Sequence, residues 1–101
     1  MTSAGVTLKV SAKSNPNAVA GALAAVLRER ETAEVQAVGA GAINQAIKAV
    51  AIARGYLKGA KFDVVCAPSF VLVAIDESER TAISLQVERR KLEEKAVEVE
   101  S

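Results

Sequence analysis

Any chemistry in this chain must come from a short polar set, because the side chains that most often perform catalysis are missing. Histidine is absent and there is one cysteine in 101 residues. That removes Ser-His-Asp and Cys-His nucleophilic sites, and the usual imidazole-based metal centres with them. Cys66 stands in the apolar run Val64-Val65-Cys66-Ala67, a setting that suits a small buried hydrophobe better than a reactive thiol. Asp63, Asp76, Glu77 and Glu79 cluster by sequence only, with no base, nucleophile or metal set around them. The chain reads as a non-enzyme, with no cofactor and no metal expected.

Binding chemistry is better represented. Gly39-Ala40-Gly41 falls between a strand and a helix, where glycines let backbone N–H groups approach an anion at the positive helix end. The third glycine of a dinucleotide fingerprint is replaced by Asn44, and no Walker pattern occurs. A tight turn with close helix packing is the simpler account of these glycines; a phosphorylated small ligand is the sharper one. Lys9, Lys13, Ser14 and Asn15 lie on the polar face of the first strand and the turn that follows it. Asn44, Gln45 and Lys48 are polar positions on an otherwise apolar helix. Burying unpaired amides there would cost about 1–3 kcal/mol each, so they face solvent, a ligand or a partner subunit. Arg80, Arg89 and Arg90 belong to a hairpin and its exit, as edge guards or as contacts to a nucleic-acid backbone.

The elements that position these residues are legible in the pattern. Val6 to Lys13 alternates, with Val6, Leu8, Val10 and Ala12 on one face, and predicts a half-buried strand. Asn15-Pro16 predicts a helix start, Asn15 as N-cap and Pro16 as first helical residue, with the helix ending at Glu29 or Arg30. Val19, Leu23, Val26 and Leu27 form its core-facing stripe. Glu34 to Val38 predicts a second strand, and a second helix follows to about Arg54, with Gly55 as the residue after its end. Phe62 to Ile75 is a long β-rich run with Pro68 at an edge or bulge; Asp76 to Glu79 turns it, and Thr81 to Glu88 returns. Both helices follow parallel strands, so their N-termini open at one end of the sheet. Lys13, Ser14, Asn15, Gly41, Asn44, Gln45 and Lys48 then share one polar surface.

The order β-α-β-α-β-β is an α+β fold, a two-layer sandwich with two helices on one face of a four-stranded mixed sheet. Half the residues are hydrophobic, and 20 Ala with 14 Val predict a small-grained core with close backbone approaches. The second helix is apolar nearly all round: Ala40, Ile43, Ile47, Val50 and Arg54 follow one face, and Ala46, Ala49, Ile52 and Ala53 fill the others. One sheet covers only one side of such a helix, which predicts a homodimer with this helix at or near the interface. Aromatics at 3% argue against base-stacking platforms. Residues 1 to 58 carry seven cations and three acids; the remainder carries six and nine, and Lys91 to Ser101 alone holds two Lys and four Glu. This describes a mildly basic domain over 6–90 and an acidic tail over 91–101, expected to be frayed helix or disordered. With no leader pattern, no membrane span and no disulfide pair, a cytoplasmic protein is expected.

The blocks Leu8-Lys9-Val10-Ser11-Ala12-Lys13-Ser14-Asn15-Pro16-Asn17, Gln36-Ala37-Val38-Gly39-Ala40-Gly41-Ala42-Ile43-Asn44-Gln45-Ala46 and Lys48-Ala49-Val50-Ala51-Ile52-Ala53-Arg54-Gly55, with Glu79-Arg80-Thr81-Ala82-Ile83 in the hairpin, closely resemble the stage V sporulation protein S family. The resemblance covers about residues 7 to 89. It implies an Alba-like fold, a bacterial host, and a small sporulation or cell-cycle regulator that binds DNA or RNA as a dimer or a pair of dimers. By the same resemblance, Lys13, Ser14 and Asn15 in the first loop and Arg80 on the hairpin arm meet the phosphate backbone. A protein-interaction module built on the alanine-rich helix, and a phosphorylated-ligand sensor at Gly39 to Gly41, are the alternatives.

Overall fold

The computed structural model describes residues 5–92. Strand β1 (Thr7–Val10) leads through a short loop into helix α1 (Pro16–Glu29), then β2 (Thr32–Ala37), α2 (Ala40–Leu57), one 3₁₀ turn (Lys58–Ala60), β3 (Phe62–Ile75) and β4 (Ser78–Lys91). The sheet order is β1-β2-β4-β3. β1 and β2 are parallel, and the remaining neighbours are antiparallel. The expected α+β order and mixed four-stranded sheet are present.

One face of the sheet is alternately apolar. Leu8 and Val10 pair with Val35 and Ala37; Ala33, Val35 and Ala37 pair with Val87, Leu85 and Ile83. Against them α1 buries Ala20, Leu23, Ala24 and Leu27, while Val19 and Val26 pack at the margin. The expected α1 stripe is thus shifted toward alanines. In α2, apolar nearly all round by sequence, Ala42, Ala46, Ala49 and Ala53 are buried with Val50 and Leu57, whereas Ile47 is 47% exposed. Methyl side chains let the helix axis lie close to the sheet and to α1, and the bulkier isoleucines turn to the rim.

Helix α2 also runs past Gly55 to Leu57, correcting the expected end near Arg54. Leu57 is fully buried, and that anchor outweighs a glycine in the helix interior, which costs about 0.5–1 kcal/mol against alanine. The left-handed residue falls instead at Lys61, with φ 67°. A Cβ on Gly55 would meet nothing within 4 Å. Gly55→Ala is therefore expected to stabilise the fold by about 0.5–1 kcal/mol, read as a higher urea midpoint at unchanged slope.

Pro68 sits on edge strand β3 and pairs one-to-one with Leu85, an edge position without a bulge. The hairpin is longer than the alternation implied. Only Asp76 and Glu77 make its turn, both with positive φ (50° and 66°), the geometry a two-residue hairpin turn requires and one that these acids adopt with strain. β4 continues through Arg90 and Lys91, the first residue of the expected tail; the rest of that tail from residue 93 lies outside the described residues. On the turn side of Ile83, β4 has no β2 partner, so Val71 to Ala82 projects as a two-stranded arm, with Phe70 at its base. Among the described residues no helix is long and apolar enough to cross a membrane.

Candidate nucleic-acid interface

The loop between β1 and α1 is fixed by its own side chains. Ser11 N–H donates to Ser14 Oγ at 2.9 Å, Ser14 N–H to the Ser11 carbonyl at 3.0 Å, and Lys13 N–H to Ser11 Oγ at 3.2 Å. Asn15 takes the extended conformation of an N-cap, and its Oδ1 accepts from the N–H groups of Asn17 (2.8 Å) and Ala18 (3.3 Å). Pro16 opens the helix as expected. These bonds satisfy orphan donors of the first turn and hold the backbone of Lys13 while leaving its side chain exposed.

Helix α2 closes on this loop. Gln45 Nε2 donates to the Ser14 carbonyl at 2.8 Å. A Cβ on Gly41 would stand 3.0 Å from Ala12 Cβ, so the missing side chain at this position is what lets the start of α2 approach the end of β1. Gly39, with φ 92°, makes the turn that aims it. The structure therefore brings Lys13, Ser14, Asn15, Gly41 and Gln45 together. Asn44 and Lys48 lie exposed on the same helix, one turn apart.

Lys9 and Arg80 stand elsewhere. Leu8 and Val10 point at the helices, so Lys9 points to the opposite face of the sheet. There it lines an open crevice of about 280 Å³ with Ser11, Gln36, Val73 and Ile75. Arg80 pairs across the arm with Val73, and alternation turns it away from its neighbour Glu79. Among the described residues Lys9, Lys13, Lys48 and Arg80 make no ion pair.

Also on the open face, Glu34 accepts from Ser84 Oγ (2.7 Å), Gln36 Nε2 (3.0 Å) and Thr7 Oγ1 (3.0 Å). The hydrogen bonds from Ser84 and Gln36, more than the third from Thr7, hold its carboxyl below the usual glutamate range against the opposing effect of burial. This carboxylate ties β1, β2 and β4 together; sequence reading gave it no role, because its partners come from three strands.

Arg89, expected from sequence as an edge guard or a contact to a nucleic-acid backbone, has a different role. It continues the inward phase of Ile83, Leu85 and Val87, and that phase is the one sequence signal for it. Its Nη1 donates to the carbonyls of Leu27 (2.8 Å) and Arg28 (3.1 Å), and its guanidinium lies 4.4 Å from the Phe62 ring centroid. It thus caps the C-terminal end of α1, where a cation meets the negative end of the helix dipole.

Residues 6–90 match the family model described as Stage V sporulation protein S (SpoVS).

Proposed function

We propose that this chain, which belongs to the stage V sporulation protein S family, is a non-catalytic, sporulation-related regulator that contacts the phosphate backbone of DNA or RNA as a homodimer. The observation that carries the reading is the junction of the β1–α1 loop with the start of α2. Gln45 and Ser14 hold Lys13 on a rigid turn beside the first turn of a long helix, where a phosphate finds both a cation and oriented N–H groups. Lys48 and Asn44 extend that surface along α2; Lys9 and Arg80 supply cations on the other face of the sheet. Contacts of this kind position a backbone and carry little sequence information.

The test is fluorescence anisotropy with random-sequence duplex DNA, single-stranded DNA and RNA. Affinity should fall steeply between about 50 and 200 mM salt, and Lys13→Glu should weaken duplex binding by about tenfold and make the dependence of log K on log salt shallower by about 0.9. Unchanged affinity in that variant removes the loop from the interface.

A second reading, a protein-assembly module, is favoured by one observation. Phe70 and Leu72 on the arm are 77% and 67% exposed, and Ile47 and Tyr56 on α2 are each 47% exposed. These are large apolar side chains of the kind that interfaces cover. A protein partner retained after nuclease treatment, by a chain that binds no nucleic acid, selects it.

A further inference from the structure

The crevice that Lys9 lines on the open face joins parts of the sheet that the strand order keeps apart. In the order β1-β2-β4-β3 the edges are β1 and β3, yet Lys9 and Ser11 from the end of β1 share about 280 Å³ with Val73 and Ile75 from the end of β3. The arm therefore curls across the open face. Alternation puts Ala82 and Ser84 of β4 on that face too, and at 2% and 1% exposed they are buried as small residues on the inside of a bend are.

The lining has one charge. Val38, Val73 and Ile75 supply hydrocarbon, Ser11 and Gln36 are polar, and Lys9 is the single charged residue among those that line the crevice. Gln36 Nε2 is engaged by Glu34 at 3.0 Å, whereas Lys9 is exposed and makes no ion pair among the described residues. The nearest acids are placed elsewhere. Glu34 already accepts from three donors, and Asp76 and Glu77, which make the turn after Ile75, are not part of the lining. An apolar cleft with one cation suits an apolar molecule that carries one negative group. A phosphate monoester would bring a second negative charge at neutral pH that no other lining residue balances, which leaves the carboxylate. Size narrows the class further. A void of about 150 Å³ takes a benzene ring, so this crevice has room for one phenyl or branched aliphatic body and its carboxylate.

We propose that the crevice binds a small monocarboxylic acid, its phenyl or branched aliphatic body against Val38, Val73 and Ile75 and its carboxylate at the Lys9 ammonium. Ser11 also accepts from the Lys13 N–H through its Oγ, so the occupant lies against the loop that the nucleic-acid reading uses. Binding itself requires no nucleic acid.

The experiment titrates the isotope-labelled full chain with phenylpropionate and, separately, with phenylpropanol, each to about 10 mM, and follows backbone amide shifts by NMR in a range where millimolar dissociation constants are read. Saturable shifts are expected at Lys9, Ser11, Gln36, Val38, Val73 and Ile75. The acid should bind about three- to fivefold more tightly than the alcohol, the margin that one exposed ion pair gives. Lys9→Gln, at an exposed position, should abolish that margin and leave the affinity for the alcohol unchanged. Ile75→Glu, at a residue 38% exposed, puts a like charge beside the carboxylate and should weaken the acid more than the alcohol. An alcohol that binds as tightly as the acid, a Lys9→Gln variant that keeps the margin, or shifts that are absent or confined to another face, each overturns the site. Those results leave the loop reading standing, because its own test is duplex binding by Lys13→Glu.

Discussion

Leu57→Ala is expected to lower the unfolding free energy by about 3–4 kcal/mol, the transfer loss of a buried leucine plus the cavity left behind. Leu57 is fully inaccessible, and it stands two residues beyond Gly55, at the point where α2 gives way to the 3₁₀ turn. Its burial therefore does two things at once: it fills the core beneath the end of α2, and it carries the helix past a glycine that would otherwise end it. In a domain whose net stability is about 5–15 kcal/mol, a loss of this size is a large fraction of the whole. The melting temperature should drop by more than about 10 °C. A urea titration checks it: the midpoint should fall sharply at constant slope, and a loss below about 1 kcal/mol would mean that the end of α2 is not anchored through this side chain.

Glu34→Ala is expected to cost about 2–3 kcal/mol at neutral pH, because it leaves the buried Ser84 hydroxyl without its acceptor and removes a charge-assisted hydrogen bond. Thr7 and Gln36 lose the same acceptor, so the register between β1, β2 and β4 loses a carboxylate that ties the three strands on the open face. The pH dependence has a defined sign. The folded-state value of Glu34 lies below its unfolded one, so its contribution is fully present above the ordinary glutamate value near about 4.3 and is lost as pH falls through the folded value. Asp63, held down chiefly by Arg54, acts in the same direction. Parent and Glu34→Ala unfolding curves at pH 7 and pH 3 should converge on acidification; a gap that stays constant with pH would mean that the hydroxyl of Ser84 is satisfied without the carboxylate.

Local signals carried far in this chain. The Asn15-Pro16 start and the apolar run from Phe62 to Ile75 report a cap and a period that depend only on neighbouring residues, while the alternation read from Val6 to Lys13 holds as a strand only over Thr7–Val10, its last three residues forming the loop. The nearness of the β1–α1 loop to the start of α2 was also legible, because two helices that follow adjacent parallel strands must begin at the same sheet edge. The face that α2 buries was not. Its isoleucines suggest one side by hydropathy, and the sheet takes the other because close approach favours alanine.

Sequence by itself determined the element order, the cap of α1 and the polar loop, which are set within short local windows, and the family resemblance, which is carried by blocks spread over most of the chain. Tertiary structure alone decided where α2 ends, that Arg89 turns inward to cap a distant helix, as its bonds to Leu27 and Arg28 span 62 and 61 positions, and that Lys9 and Val73, from the two edge strands of the sheet, line one crevice. Those outcomes depend on which strands pair and in what register, and a pairing between distant segments leaves no periodic trace in either segment alone.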